Sequence, residues 1–168
     1  MGKPQPAPVP SSPGRQHAMR LQRTRDTTPE LDLRRALHRR GLRYRLHQRL
    51  LPGSRCSADI VFRTARVVVD VRGCFWHGCP DHDRRGTHNA EWWERKLATN
   101  VQRDSETEGK LNAAGWLVIV VWEHDDAEEA AHRIAELIRT RREVRPAVAL
   151  AGTPSLPVQS GRGSQSED

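Results

Sequence analysis

The chain has 168 residues and carries 28 Lys and Arg against 21 Asp and Glu, a formal net charge of +7 at pH 7. This charge favours a polyanionic partner over a neutral one, although an arginine-rich, solvent-exposed surface is the competing explanation. Three cysteines and a longest apolar run of seven residues (116–122) exclude a disulfide framework and a transmembrane helix. No signal segment is visible, so we expect a soluble intracellular protein without membrane association.

The two ends of the chain differ in composition from its middle. Residues 1–17 are rich in proline, and residues 146–168 are rich in Pro, Gly and Ser. Such segments bury too little apolar surface to offset the entropy of ordering the chain. The sequence therefore predicts two disordered tails around one folded domain at residues 18–145, which is a usual domain size.

The first half of this domain predicts one helix and three strands. Thr28 can cap a helix that begins at Pro29 and ends at Gly41, with an apolar stripe along one side. Alternating or continuous apolar residues then predict strands at residues 42–46, 58–62 and 66–71.

The second half predicts two helices on either side of a fourth strand. Asn89 can cap a helix that runs to about residue 114, and a last helix covers about residues 127–140. Between them, residues 116–122 are all apolar, which is typical of a central strand covered on both faces. The order of elements predicts an α/β fold in which a mixed sheet lies between helices.

A segment rich in metal ligands follows the third strand. Residues 73–82 read Gly-Cys-Phe-Trp-His-Gly-Cys-Pro-Asp-His and contain two thiols, two imidazoles and a carboxylate. Cysteine and histidine at this spacing are typical of a zinc site. A loop closed by a metal would hold Phe75 and Trp76 outward, which in a basic protein indicates a nucleic-acid partner.

Two acids lie at the ends of adjacent predicted strands. Asp59 begins one strand and Asp70 ends the next, so the pair can bind a hard cation such as Mg²⁺. Arg72 lies on the same face as Asp70, which approximates the acid…acid-x-Lys pattern of metal-dependent nucleases. For two acids alone, pairing with arginines or a plain strand end is the favoured explanation.

The segment Gly73-Cys74-Phe75-Trp76-His77-Gly78-Cys79-Pro80 resembles the hallmark of the very short patch repair (Vsr) DNA mismatch endonucleases. The resemblance covers about residues 18–125, and the Cys-Phe-Trp-His core is its most specific part. The other motifs, in the order of the family, are Met19-Arg20, Thr24-Arg25-Asp26-Thr27, Glu30, Leu51-Pro52-Gly53, Asp59, Trp93, Lys96, Asn100-Val101, Arg103-Asp104, Gly115-Trp116 and Val121-Trp122-Glu123.

The resemblance implies a restriction-endonuclease-like (PD-(D/E)xK-type) fold. It also implies an enzyme that nicks one strand 5′ to the thymine of a T·G mismatch, which arises when 5-methylcytosine deaminates. Asp59 falls on the catalytic, Mg²⁺-binding aspartate, His77 on the histidine that acts on the attacking water or scissile phosphate, and Glu30 on an acid near that histidine. The chemistry agrees, because Mg²⁺ neutralises developing phosphate charge and histidine transfers protons near neutral pH.

One position departs from the family pattern. Where the family carries Thr-His before Gly-Cys-Phe-Trp, this chain has Val71-Arg72. The family's threonine lends its backbone carbonyl to Mg²⁺, so Val71 can take this role, and Asp70 is a further candidate ligand. Arg72 can contact the phosphate electrostatically but cannot act as a base at neutral pH.

The resemblance also implies a structural zinc site, whose ligands in this chain would be Cys74, Cys79, His82 and His124. His82 enters this set by its chemistry, with Asp81 as the weaker alternative. A competing assignment places His77 on zinc and frees His82. For His124, a plain surface histidine is the alternative.

Several residues match DNA-contacting positions of the family. Aromatic wedges, which kink DNA most easily at a mismatch, would be Phe75, Trp76 and Trp93. The alternative is that Trp92 and Trp93 are core residues of their helix, and we expect one of the two to be so. A basic arm that clamps DNA by neutralising phosphates would include Met19, Arg20 and Arg25.

Three functions compete: the T·G mismatch endonuclease, a restriction-type or other DNA nuclease of the same fold, and a catalytically decayed, zinc-containing DNA-binding protein. The first is favoured by the resemblance, and activity on a matched duplex compared with a T·G duplex separates it from the second. The presence of Asp59, His77 and Glu30 together argues against the third, because binding alone needs none of them. We expect a monomer that binds double-stranded DNA in a bacterial-type, nucleoid-associated cytoplasm, with mismatch-repair proteins as candidate partners.

Overall fold

The computed structural model describes residues 13, 14, 17, 25–82 and 89–150, with side chains in the last helix as far as residue 143. Most of both predicted tails, with Met19 and Arg20, lies outside these residues. In chain order the elements are α1 (Thr28–Arg39), β1 (Arg45–Gln48), β2 (Ala58–Phe62), β3 (Val67–Arg72), α2 (Cys74–His77), α3 (Ala90–Ala113), β4 (Leu117–Trp122) and α4 (Ala127–Leu150). No helix in the described ranges is long and apolar enough to span a bilayer.

The four strands form one mixed sheet in the order β1-β2-β3-β4. The first three strands are antiparallel neighbours, whereas β3 and β4 run parallel. A parallel pair needs a long crossover connection, which here contains α2 and α3. The predicted α/β architecture, with a mixed sheet flanked by helices, is confirmed.

The position of β4 differs from the prediction, since it lies at an edge of the described sheet and not in its centre. Its apolar side chains are nevertheless covered on both faces: Leu117, Ile119 and Val121 on one, Val118 on the other. An apolar run indicates that both faces of a strand are covered, but it does not indicate whether the strand has a neighbour on each side. The prediction of a central strand was therefore wrong, although both faces are covered.

The main hydrophobic core lies between the sheet and the pair α1 and α4. Leu37, Phe62, Val69, Ile134 and Ile138 are at most 2% exposed there. Burial of each such side chain stabilises the fold by about 1.5–3 kcal/mol. The opposite face carries a smaller cluster, Val61, Val68 and Leu111, where α3 covers the sheet. The sheet is thus anchored on one face and more sparsely packed on the other.

Strand β1 begins at Arg45, three residues later than predicted, and contains a backbone irregularity. His47 has φ 49°, in the left-handed region. Such a conformation costs a residue other than glycine about 1–3 kcal/mol, and it persists only where the surroundings enforce it. It also interrupts the alternation of side chains along β1, so that Leu46 and His47 both reach the side of the sheet on which α1 lies.

Candidate active site and metal centre

The two acids singled out in the sequence meet on neighbouring strands. The antiparallel register of β2 and β3 places Asp59 opposite Asp70, and Oδ2 of Asp59 accepts a hydrogen bond of 2.9 Å from the Val71 amide. Burial, with the charges of Asp70 and Glu30, raises the pKa of Asp59 to about 7, although the Val71 amide lowers it. Carboxylate oxygens that lie close together, with more negative than positive charge around them, suit a hard divalent cation.

Arg72 lies beside these acids and is itself held by carboxylates. Its Nε donates a hydrogen bond of 2.8 Å to Oδ2 of Asp70, and its Nη2 lies 3.8 Å from Oε2 of Glu108 on α3. Only 12% of the Arg72 side chain is exposed. A cavity of about 420 Å³ opens beside Arg72 on the α3 face of the sheet, with Asp104 in its lining. Arg72 therefore carries a positive charge at the edge of an open space next to the paired acids.

His77 is positioned by residues of α3. The single turn α2 ends at Gly78, whose φ of 63° suits glycine, and the Asn100 amide donates a hydrogen bond of 3.1 Å to the Trp76 carbonyl. Nδ1 of His77 lies 2.5 Å from Oδ2 of Asp104. The sequence analysis placed Asp104 in a motif of the family but gave it no role; its spacing of four residues from Asn100 places both on one face of α3.

Glu30 lies against a different histidine from the one expected. It is buried, forms an ion pair with Arg34 and accepts a hydrogen bond of 2.8 Å from the Asp26 amide. Its Oε1 is 3.8 Å from Nε2 of His47. The imidazole next to Glu30 is therefore that of His47, while His77 has Asp104 as its carboxylate partner.

The predicted zinc ligands come together at the end of β4. Sulfur atoms of Cys74 and Cys79 lie 3.1–3.8 Å from Nδ1 of His82 and of His124. With Zn–S of about 2.3 Å and Zn–N of about 2.0 Å, tetrahedral geometry would separate sulfur and nitrogen by about 3.5 Å. The spacing of the four donors therefore fits a zinc ion, and the exposed His124 contacts both thiols.

The surroundings of this Cys/His cluster agree with a metal site. Asp81 lies 3.6 Å from Nε2 of His124, on the ring atom that faces away from the cysteines. Carboxylates in this position commonly orient a metal-bound histidine. Burial, followed by the neighbouring Cys79 thiol, raises the pKa of Cys74 to about 12, which a bound cation would reverse. His77, the alternative ligand, lies outside the cluster.

The aromatic residues predicted to contact DNA form a group on the surface. The rings of Phe75, Trp76 and Trp93 lie 5.0–5.7 Å apart in edge-to-face contacts, and each residue is half-buried. Trp92 packs against Trp93 at 4.8 Å and is also half-buried. The expectation that one of these two tryptophans is a core residue was wrong, because the rings pack on each other beside α2. Arg25, of the predicted arm, is exposed ahead of α1.

Comparisons with known proteins extend over most of the chain. The sequence model of the family described as DNA mismatch endonuclease Vsr matches residues 10–83. The type II nicking enzyme V.NaeI of Lentzea aerocolonigenes is 41% identical over 133 residues, which cover 78% of this chain and 80% of that protein. The type II nicking enzyme V.XorIIP of Xanthomonas oryzae pv. oryzae is 41% identical over 113 residues (65% and 79%). The DNA mismatch endonuclease Vsr of Escherichia coli K12 is 37% identical over 107 residues (62% and 66%).

Proposed function

Because the chain belongs to the family of the DNA mismatch endonuclease Vsr, we propose that it nicks one DNA strand 5′ to the thymine of a T·G mismatch. Membership of this family makes the chain a DNA-binding endonuclease. The specificity for the mismatch, the choice of the cleaved strand and the identity of the metal ions belong to the proposal. The observation that carries it is the Asp59 site, where paired acids lie beside Arg72 and where Asp104, the hydrogen-bond partner of His77, lines the same cavity as Asp70 and Arg72.

The catalytic cation is proposed to be Mg²⁺, held by Asp59, Asp70 and the carbonyl oxygen of Val71. When bound it would neutralise developing charge on the phosphate and activate water. Asp70 forms an ion pair with Arg72 in the free protein. A cation at Asp70 would weaken that pair and leave the guanidinium able to contact a phosphate oxygen, a geometry that arginine suits.

His77 is proposed as the proton-transfer group. A carboxylate only accepts, so the short contact with Asp104 places a proton on Nδ1 of His77 and leaves Nε2 able to accept one. Water would lose a proton to Nε2 as its oxygen bonds to phosphorus, while the bond from phosphorus to the 3′ oxygen breaks and that oxygen takes a proton from solvent. Asp104 thereby orients the ring and stabilises the imidazolium that forms.

The Cys/His cluster and the aromatic group are proposed to serve DNA binding. A structural zinc ion on Cys74, Cys79, His82 and His124 would fix α2 and its aromatic side chains. Phe75, Trp76 and Trp93 would then wedge into the duplex, which is least costly where a mismatch weakens pairing. The arm of Met19, Arg20 and Arg25 is proposed to neutralise phosphates of the same duplex.

The names of two relatives favour a second candidate function. V.NaeI and V.XorIIP are called type II nicking enzymes, without mention of a mismatch. A protein of this fold that nicks a fully paired recognition sequence would use the same residues, since a fold does not set the substrate. A decayed, binding-only protein is disfavoured, because binding requires neither the His77–Asp104 pair nor opposed acids.

Nicking of end-labelled duplexes in Mg²⁺ tests these alternatives. We expect cleavage of one strand next to the T·G mismatch, with a matched T·A duplex left intact and no product from Asp59→Ala. Equal nicking of both duplexes would support the second candidate, an enzyme that nicks a fully paired recognition sequence. Tight binding without cleavage of either would indicate the decayed protein.

A further inference from the structure

The cavity of about 420 Å³ beside Arg72 is lined by two further arginines, which lie on two different walls. Arg55 belongs to the connection between β1 and β2 and is exposed, and Arg103 belongs to α3 with 57% of its side chain exposed. The two walls touch each other, since Sγ of Cys56 lies 3.8 Å from Oγ1 of Thr107. Arg55 directly precedes Cys56, and Arg103 lies one helical turn before Thr107. Both arginines are therefore exposed residues of one cavity.

The charges of these two arginines are not neutralised by the acids of the cavity. Each of the acids described in its lining has another basic partner; the pairs are Asp70 with Arg72, Glu108 with Arg72 and Asp104 with His77. Arg103 reaches Asp104 only at 4.0 Å, and no carboxylate of the described residues pairs with Arg55. A cation at the Asp59 site would add further positive charge. In the metal-bound protein the cavity would therefore attract an anion.

Helix α3 arranges the aromatic group, the His77–Asp104 pair and the cavity in order along its length. Trp93, of the aromatic group, lies in the first turn, and Asp104 follows 11 residues later, which is about 16 Å along the helix axis. The residues of α3 that line the cavity extend from Arg103 to Leu111. The aromatic group thus lies on the N-terminal side of the His77–Asp104 pair, and the cavity extends to its C-terminal side.

We propose that Arg55 and Arg103 bind phosphates of the cleaved strand on the 5′ side of the nick. The proposed nick lies 5′ to the mismatched thymine, so the thymine and the aromatic wedges belong to the 3′ side. With the scissile phosphate at the His77–Asp104 pair, the part of the strand that leads in the 5′ direction passes the cavity. Arginine suits such contacts because it can donate two hydrogen bonds to one phosphate. Phosphate contacts fix the register of the duplex without reading its sequence. The inference rests on the proposed function.

The salt dependence of duplex binding, measured with Ca²⁺ in place of Mg²⁺, tests these contacts without any cleavage. The logarithm of the binding constant falls linearly with the logarithm of the salt concentration, by about 0.9 for each neutralised phosphate. The slope for Arg55→Gln/Arg103→Gln should be smaller than that of the wild type by about 1.8, so that an increase from about 50 to 200 mM salt costs it about tenfold less affinity. Arg139→Gln/Arg142→Gln removes the same charge from α4, on the other face of the sheet, and should keep the wild-type slope.

Neutral methylphosphonate linkages locate the contacts on the strand. Such linkages at the first three positions 5′ of the expected nick should weaken binding by the wild type about tenfold, as on loss of a charge-assisted hydrogen bond, and should not weaken binding by Arg55→Gln/Arg103→Gln. Neutral linkages on the 3′ side should weaken binding by both proteins alike. An unchanged slope in this variant, an equal reduction in the α4 control, or a loss of sensitivity on the 3′ side alone would overturn the inference. A wild type that binds but cuts no duplex would overturn the proposed function, whereas the slopes would still decide whether these arginines contact phosphates.

Discussion

The Cys/His cluster and the Asp59 site lie near each other but differ in how their ligands are held. The cluster gathers four nitrogen and sulfur donors that all lie within 4.8 Å of one another. Three of them come from residues 74–82, and His124 follows β4. At the Asp59 site the donors are carboxylates on paired strands, next to an open cavity.

This difference separates a closed site from an open one. Four protein donors complete the tetrahedral coordination of zinc, so such a site stabilises structure and leaves no position for substrate. The acids of the Asp59 site instead keep unfavourable negative charge together, as the raised pKa of Asp59 indicates. Strand β3 shows how the fold tolerates this: residues 67–69 are buried in the core, whereas 70–72, which belong to the proposed active site, are not. Core packing and the proposed site thus occupy opposite halves of one strand.

Removal of the Asp59 carboxylate should have the largest effect on the nicking rate, without a loss of thermal stability. A catalytic cation supplies several kcal/mol of stabilisation to the transition state, and each 1.4 kcal/mol is tenfold in rate. We therefore expect Asp59→Asn to lower the nicking rate by about 10³-fold or more. The melting temperature should not fall, because the change relieves repulsion with Asp70 and Glu30. A large loss of thermal stability would show that Asp59 is mainly structural.

Loss of the cluster should affect stability first. With zinc at about 1,000 times its dissociation constant, binding contributes about 4 kcal/mol, which corresponds to roughly 8–16 °C in melting temperature for a protein of this size. Cys74→Ser or a chelator should lower the melting temperature by this order, and metal analysis should find one zinc per chain in the wild type but less in Cys74→Ser. Cys56→Ser, at an exposed thiol outside the cluster, is the matched control. No zinc in the purified wild type would refute the assignment.

Loss of the Asp104 carboxylate should have an effect of intermediate size on the nicking rate and no effect on the Cys/His cluster. We expect Asp104→Asn to lower the single-turnover rate by about 10²-fold, since a positioned proton-transfer group contributes about 10²–10⁴-fold. Zinc content and duplex affinity should be retained. Glu106→Gln, on the same helix but directed to Gln102, is the control. An equal loss in both variants would assign the effect to α3 as a whole.

The smallest effect should come from the ion pairs of Glu128, which is not a ligand of either site. Hydrogen bonds from Arg39 and Arg40 hold the pKa of Glu128 below its usual range. A depressed carboxyl pKa contributes stability above the unfolded pKa, and this contribution is lost as pH falls through the folded one. The wild type should therefore melt slightly above Glu128→Gln at pH 7, and the difference should begin to shrink as the pH falls below about 4, the ordinary range of a glutamate. Nicking at pH 7 should be unchanged; a loss of nicking would contradict the separation of stability from reactivity.

Local patterns in the sequence were sufficient for the elements and most of the ligands. Helices α1 and α3 begin within one residue of the predicted starts, although neither N-cap side chain forms a capping hydrogen bond and the cap of α1 is Thr27 in place of Thr28. The proposed ligands Cys74, Cys79 and His82 are close in the chain, so their meeting needs only a short loop. The edge position of β4 was missed, because apolar composition is the same for edge and central strands once helices cover both faces. The surface packing of Trp92 on Trp93 was missed for a similar reason, since tryptophan on a helix is usual in cores.

By itself, the sequence determined the α/β class, the basic charge, the family and the identity of the metal-type ligands, because these depend on residue type and short-range spacing. Only the tertiary structure decided which side chains meet across long separations. His77 pairs with Asp104, 27 residues away, and His47 with Arg34 and Glu30 of α1. Such contacts follow from strand register, helix packing and one left-handed residue in β1, and none of these leaves a local pattern in the chain.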